Sequence, residues 1–203
     1  MRSISTIVKS FLFGMIFFML MITTAGAAEP SYGMANVDGD YAEWNLADDF
    51  FADMYLAFNP DFSVLSKLYL RYDCQSGTMY ALVLTTPDTL PAVVSAGDAW
   101  IAIDSIANKV VSGSSGDDGT PPDFAWVGLG FDGDLTHARG YEASFSIAEG
   151  SYAIIAHVNV ISGGTQTSGT VKTGVPLTID CPVLGACCFP DGTCSEVTAA
   201  ECA

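Results

Sequence analysis

The sequence predicts an all-β protein: an antiparallel β-sandwich of the jelly-roll or immunoglobulin-like kind, followed by a small disulfide-rich appendage. Short β-prone runs alternate with clusters of Gly, Asp, Ser and Pro, a spacing typical of sandwiches and barrels. Apolar residues make up 50% of the 203 residues, which excludes an intrinsically disordered chain. Six cysteines, most of them crowded near the C-terminus, predict the appendage.

The first element in chain order is a secretory signal peptide over residues 1–27. Arg2 and Lys9 form a basic start, Phe11–Ile22 is an apolar run, and Ala25–Ala27 fits an A-x-A cleavage site. An uncleaved anchor is the alternative, but a membrane span needs about 20 apolar residues. Cleavage predicts a secreted protein, extracellular or on the cell surface, without a membrane span.

The charge balance limits the partners of the chain. The formal net charge is −16, and loss of Arg2 and Lys9 with the signal peptide makes it −18. Nucleic-acid binding needs clustered Lys and Arg, so we expect no nucleic-acid partner.

Seven strands and one short helix are predicted in the body of the chain, which we place at residues 28–184. The helix falls within Leu46–Leu56, where apolar residues recur irregularly among acids. Turn residues cluster at Ser112–Asp123 and Gly163–Gly169. The predicted strands are Leu68–Cys74, Met79–Thr85, Trp100–Asp104, Phe124–Phe131, Tyr141–Ile147, Tyr152–Ile161 and Val175–Ile179.

Two hairpins are predicted between these strands. A three-residue loop with a left-handed Gly77 sets the first register, which pairs Leu68, Leu70, Tyr72 and Cys74 with Leu84, Leu82, Tyr80 and Thr78, and points Cys74 inward. A turn at Glu149-Gly150 sets the second, which pairs Tyr141, Ala143, Phe145 and Ile147 with Val158, Ala156, Ile154 and Tyr152.

The second register places Glu142 directly opposite His157. A carboxylate at that distance favours the imidazolium, so we expect a raised pKa for His157. We interpret the two residues as a structural pair rather than a catalytic one, because no nucleophile has a derivable place beside them.

The cysteines fall into two groups. Cys74 and Cys181 are predicted to close the body, and Cys187, Cys188, Cys194 and Cys202 to pair among themselves in a tail module at residues 185–203. Zinc binding is the alternative, but the usual C-x₂₋₄-C spacing is absent because Cys187 and Cys188 are adjacent.

The opening Val37–Trp44 (V-D-G-D-Y-A-E-W) resembles family-9 carbohydrate-binding modules and the wider DOMON-like sandwich group, and the strand order as far as Cys181 is similar. The resemblance implies a secreted sandwich that clamps sugar between aromatic side chains and holds structural calcium; other members bind haem. The tail, Gly185–Ala203, resembles a Cys-rich repeat at the ends of exported bacterial proteins. Typical copies continue past the equivalent of Cys202, so the tail is interpreted either as a truncated copy or as part of a longer protein of which this chain is a fragment.

Calcium and sugar each have candidate residues. Asp38, Asp40 and Glu43 supply oxygen ligands of the kind that calcium prefers, although V-D-G-D is also a good tight turn. Trp100, Trp126 and Tyr72 are the candidate sugar-binding aromatics, and packing in the core is the alternative for each.

Catalytic motifs are absent from the sequence: neither G-x-S-x-G nor H-E-x-x-H occurs. Their absence predicts a non-catalytic protein, and the resemblance implies a secreted binding module that recognises carbohydrate and carries structural calcium, with an extracellular glycan or a surface protein as its partner. An extracellular structural or surface-assembly protein is the alternative. A haem-binding domain is a third, in which Met34, Met54 or Met79 would act as an axial ligand together with His157.

Overall fold

The computed structural model describes residues 28–56, 59–104, 107–163, 165–172, 176–182, 184–188 and 194–198. The predicted signal peptide lies outside these residues. The described residues are all β and contain no helix. The strands are β1 (Ser31–Tyr32), β2 (Phe50–Leu56), β3 (Val64–Asp73), β4 (Thr78–Thr85), β5 (Ala92–Val93), β6 (Ala99–Ile103), β7 (Ala107–Val111), β8 (Asp123–Val127), β9 (His137–Ala138), β10 (Gly140–Ser146), β11 (Gly150–Tyr152), β12 (Ile154–Ser162), β13 (Thr165–Lys172), β14 (Leu177–Ile179), β15 (Leu184–Cys188) and β16 (Cys194–Thr198).

One long sheet folds over to make both layers of a sandwich. Its order is β7-β6-β12-β13-β2-β3-β4-β10-β8, and the short contact between β13 and β2 joins the two halves. We call β7, β6, β12 and β13 sheet one, and β2, β3, β4, β10 and β8 sheet two. The all-β sandwich predicted from the sequence is confirmed.

The core lies between the inner faces of the two sheets. Sheet two contributes Leu68, Leu70, Tyr72, Met79, Ala81, Val83, Tyr141, Ala143 and Phe145; sheet one contributes Ala99, Ile101, Ile103, Ile154, Ala156, Val158 and Val160. The Tyr141 hydroxyl crosses the core to donate to the Trp100 carbonyl, at 3.2 Å. In each of these strands every second side chain points into this core, as the alternating geometry of a strand requires.

The first hairpin exists, but its register differs from the prediction by one residue. Gly77 has a φ of 67°, the left-handed conformation expected, yet the last pair is Asp73 with Thr78, so the loop has four residues. The Asp73 carboxylate accepts from the Gln75 and Ser76 amides and stabilises this longer turn. Cys74 is consequently exposed in the loop and does not point inward.

The second hairpin prediction is wrong. β10 pairs with β4 and β8 in sheet two, whereas β12 pairs with β6 and β13 in sheet one. The residues at the expected turn instead lead into β11, which pairs with β14. Both predicted inner faces are nevertheless buried, because the two strands meet across the core and not within a sheet.

The predicted helix within Leu46–Leu56 is also wrong: turns lead into strand β2 at Phe50. Register shifts between Phe50 and Ala52 and between Met54 and Tyr55 interrupt its pairing with β3. Such irregularities break the period-two pattern of a strand, which explains the irregular apolar recurrence. β7 and β13 were not predicted, and β13 replaces much of the Gly163–Gly169 turn cluster.

The disulfide prediction is confirmed where the structure describes it. Cys74 and Cys181 are bonded, with a Cα–Cα distance of 5.8 Å. In the tail, β15 and β16 form a separate two-stranded sheet that the Cys188–Cys194 bond closes. The Cys187 side chain and Cys202 lie outside the described residues.

Candidate functional site

Residues 33–49 lie over the outer face of sheet two, and we call them the N-terminal cover. Trp44 and Ala35 of the cover pack with Tyr69, Leu82 and Val127 in a second apolar cluster on that face. The motif that resembles carbohydrate-binding modules therefore serves here to attach the cover to the sheet.

A buried glutamate of β10 binds the cover from below. Glu142 is 0% exposed, and its Oε2 accepts from the backbone N–H groups of Gly39 at 2.9 Å and Asp38 at 3.3 Å. Its Oε1 accepts from the Trp44 indole N–H at 2.8 Å. Gly39 has a φ of 83°, and a Cβ there would lie 2.7 Å from the Trp126 carbonyl oxygen, so the turn requires glycine.

Desolvation dominates the electrostatics of Glu142. Burial raises the pKa of this carboxyl from its ordinary value of 4.5 to about 7, although the three N–H donors oppose the rise. Because the side chain has no exposed surface, it positions the cover and does not itself meet a ligand.

A second buried carboxylate, Asp49, holds the other end of the cover. It pairs with Arg71 of β3, and it accepts from the Asn45 amide at 2.8 Å. The same guanidinium donates to the carbonyls of Met34 at 2.9 Å and Glu43 at 3.3 Å, and it lies over the Trp44 ring. Several charge-assisted hydrogen bonds thus fix the cover on both sides of the motif.

Beside the cover, a groove of about 570 Å³ opens on the outer face of sheet two. Residues 34–38 of the cover form one wall, and Gly119, Pro121 and Asp123 form the other. The remaining lining residues are the floor residues Thr78, Tyr80 and Ser144, with Asp73 and Ser76 from the first hairpin. Strand pairing sets Asp123, Ser144 and Tyr80 in one row across β8, β10 and β4.

The floor presents hydroxyl groups with unused hydrogen-bonding capacity. Ser144 and Thr78 are 3% and 5% exposed, and neither hydroxyl has a partner among the described residues. The Tyr80 hydroxyl likewise has none within that part of the chain. Ser66 Oγ is the buried side-chain oxygen without a partner among the described residues, so the groove hydroxyls are accessible rather than sealed in the core. Three accessible hydroxyls along one groove give it a surface that can hydrogen-bond a polar ligand.

Acidic side chains flank these hydroxyls. Buried Asp123 accepts from the amides of Gly119 at 2.8 Å, Phe124 at 3.1 Å and Asp118 at 3.2 Å. The hydroxyl of Ser76 donates to Asp73 at 2.5 Å and lowers the pKa of that carboxyl, with help from the Gln75 and Ser76 amides. Asp73 is therefore ionised at neutral pH.

The three predicted calcium ligands satisfy backbone groups of the cover instead. Asp38 accepts from the Asp40 amide at 2.9 Å, Asp40 from the Ala42 amide at 3.1 Å, and Glu43 from the Asn36 amide at 2.9 Å. No group of three or more His, Cys, Asp or Glu side chains among the described residues could hold a metal ion. As arranged, these residues do not fit a calcium site, and calcium binding stays a prediction of the resemblance.

Added calcium tests that prediction directly. A site formed only in the native state would raise the melting temperature, since a ligand that binds the native state alone stabilises it. Asp38→Asn would then abolish the increment measured by differential scanning fluorimetry. An unchanged melting temperature would agree with the geometry described above.

The predicted aromatic residues do not line the groove. Tyr72 lies in the core and donates to the Ile147 carbonyl at 2.9 Å. Trp126 packs edge-on against Phe124 and Tyr141 at the border of the core. Trp100 is partly exposed on the outer face of sheet one, where it stacks on His157 at a centroid distance of 5.0 Å.

The predicted pairing of Glu142 with His157 is wrong, because the two residues belong to different sheets. His157 interacts with Trp100 and Asn159, and Glu142 with the cover. Burial lowers the pKa of His157, although the Asn159 hydrogen bond and the Asp98 charge oppose this shift, so the expected rise is also wrong.

The residues proposed as haem ligands are likewise separated. Met54 and Met79 are fully buried in the core, whereas Met34 is exposed on the cover. His157 lies on the outer face of sheet one, so the structure does not bring it together with any of these methionines.

Comparisons of the chain with protein-family models, curated proteins and solved structures find no match. The family resemblance therefore stays a prediction, and the functional argument depends on the groove itself. Among the described residues, no helix is long and apolar enough to cross a membrane.

Sequence reasoning missed the groove residues Thr78, Tyr80, Asp123 and Ser144. Tyr80 was missed because the register of the first hairpin differs by one residue from the prediction, which turns this residue from the core to the outer face. A signal for Ser144 was available: G-Y-E-A-S-F-S-I places Glu142 and Ser144 on one face and Tyr141, Ala143 and Phe145 on the other.

Proposed function

We propose that the protein is an extracellular, non-catalytic recognition module that binds carbohydrate in the groove on sheet two. The main support for this proposal is the arrangement of side chains on the groove floor. There the aromatic ring of Tyr80 lies in a row with the Ser144 hydroxyl, which has no hydrogen-bond partner among the described residues. Sugar sites combine an aromatic face for the C–H surface of a ring with fixed polar groups for its hydroxyls.

Two further features support recognition rather than catalysis. An acid catalyst for glycoside hydrolysis needs a raised pKa, whereas the pKa of the groove carboxyl Asp73 is lowered. The histidines do not line the groove, so no imidazole is placed to act there as a base. Disulfides in both body and tail are compatible with an extracellular location.

Tyr80 is the residue whose loss tests the proposal. We expect Tyr80→Ala to weaken oligosaccharide binding about tenfold or more, because the aromatic platform is lost. Tyr80→Phe keeps the ring and should lose less. The ligand is first selected on a glycan array, and its affinity is then measured by isothermal titration calorimetry.

Trp100→Ala is the matched control, since it removes a partly exposed aromatic from the opposite face of the sandwich. Equal affinity for the wild type and Tyr80→Ala, or a loss only in Trp100→Ala, would contradict the placement of the site.

A surface-assembly role is the second candidate, and an exposed apolar pair favours it. Leu129 and Leu135 follow the end strand β8 of sheet two and are 51% and 74% exposed. A strand edge beside exposed apolar side chains is a common place for contact with another chain. Concentration-dependent self-association together with a blank glycan array would favour this role over carbohydrate binding.

A further inference from the structure

We propose that the groove selects a cationic sugar: an oligosaccharide of glucosamine units whose amines are free and protonated. This inference rests on the proposed function and adds the charge class of the ligand. It follows from the acidic side chains that line the groove and from the absence of basic side chains among its described lining residues.

Three carboxylates line the groove, one at each side and one at the hairpin: Asp38, Asp123 and Asp73. Among the described lining residues, none is Lys, Arg or His. The lowered pKa of Asp73 keeps that carboxylate charged at neutral and mildly acidic pH. An anionic sugar would meet like charges on entry, whereas an ammonium group would be attracted from either wall.

The arginine on the strand next to Tyr80 is already engaged. Arg71 pairs with Tyr80 across β3 and β4, but its guanidinium is bonded to Asp49 and to two carbonyls beneath the cover. It does not line the groove, and the Asp49 carboxylate balances its charge. The field in the groove is therefore that of its own acidic side chains.

The hydroxyls on the groove floor supply an independent reason to expect a ligand with hydroxyl groups. Ser144 is 3% exposed, lies between Tyr80 and Asp123, and has no hydrogen-bond partner among the described residues. A simple cation would leave this hydroxyl and that of Thr78 unused. An amino sugar would use them, and it would place its ammonium near a carboxylate or over the Tyr80 ring.

The experiment compares three hexasaccharides that differ in one substituent: glucosamine hexamer, N-acetylglucosamine hexamer and cellohexaose. Titration calorimetry is done at a mildly acidic pH at which the sugar amines are protonated. We expect the glucosamine hexamer to bind at least tenfold more tightly than either neutral oligomer, and added salt to reduce this difference.

Charge-neutralising variants locate the effect. We expect Asp73→Asn and Asp38→Asn each to weaken glucosamine hexamer binding about tenfold and to weaken binding of the neutral oligomers much less, because a charge-assisted hydrogen bond becomes a neutral one. Asp61→Asn is the control, since Asp61 is exposed and does not line the groove. Two variants keep the test valid if one of them fails to fold.

The contrary outcomes separate the inference from the proposed function. Equal binding of the three hexamers would overturn the charge preference while leaving carbohydrate recognition intact. Competition by spermidine as strong as that by the amino sugar would overturn the inference, because the groove would then recognise cations in general. Binding of none of the hexamers would overturn the inference, and a blank glycan array would overturn the proposed function as well.

Discussion

Replacing Cys74 and Cys181 together by serine is expected to lower the free energy of unfolding by about 4–5 kcal/mol, the chain-entropy value for a loop of this size. The bond joins residues 107 positions apart in sequence and ties the exposed β3–β4 turn to the segment after β14. Reduction would let the unfolded chain explore many more conformations. Guanidinium denaturation of the wild type and the double variant, monitored by tryptophan fluorescence, measures the difference.

The Cys188–Cys194 pair provides a control within the same chain. Its two cysteines are 6 positions apart in sequence, and the bond closes the separate β15–β16 sheet. Its loss should therefore leave the unfolding transition of the sandwich unchanged. A body transition that moved equally in both double variants would contradict the assignment of the long loop to the body and the short loop to the tail.

The inner faces of the strands could be predicted from the sequence, but the partners of the strands could not. Tyr141, Ala143 and Phe145 alternate with polar residues, and this alternation identified a buried face correctly. The same alternation is expected whether two strands face each other across the core from different sheets or pair side by side in one hairpin. Hydrophobic period alone therefore could not separate β10 and β12 into different sheets.

The register of the first hairpin depended on a side-chain contact that the pattern does not contain. The Asp73 carboxylate bonds two amides in the turn and lengthens it by one residue. Since side chains alternate with a period of two, that single residue exchanges the faces of Tyr80 and Met79. The largest error in the candidate site thus follows from one aspartate at a strand end.

The opening motif was interpreted from its side chains, whereas the structure uses its backbone. Asp38, Asp40 and Glu43 suggested metal ligands, but the amides of Asp38 and Gly39 are the groups that bind a distant carboxylate. That partner, Glu142, lies 103 residues beyond Gly39 and belongs to a strand buried on both faces. An isolated glutamate in such a strand is a signal that a donor group must cover it.

Glu142→Ala is expected to destabilise the fold by about 3–5 kcal/mol at neutral pH, since a cavity and unsatisfied donors are created together. The amides of Asp38 and Gly39 and the Trp44 indole would lose their common acceptor. Urea denaturation measures the loss, and Glu43→Ala is the control, because that side chain is exposed and accepts a single hydrogen bond among the described residues, from the Asn36 amide. A loss no greater than in the control would contradict the role assigned to Glu142.

The variant Glu142→Gln keeps the shape of the side chain but cannot ionise, so it tests whether the charge of the Glu142 carboxyl affects stability. Because burial raises the pKa of Glu142 from 4.5 to about 7, the folded state binds the proton more tightly than the unfolded state. The stability of the wild type relative to Glu142→Gln should therefore be greatest below pH 4.5 and fall as pH rises to about 7. A raised pKa of this size corresponds to a fall of about 3 kcal/mol.

The opposite slope would be equally informative. Relative stability that increased with pH would mean that the three N–H donors outweigh desolvation and lower the pKa of the Glu142 carboxyl. The binding assay adds a second readout, because Asp38 belongs both to the groove wall and to the turn that Glu142 holds. Glu142→Ala should therefore weaken binding to the groove although Glu142 does not line it, and unchanged affinity would show that the wall keeps its position without this carboxylate.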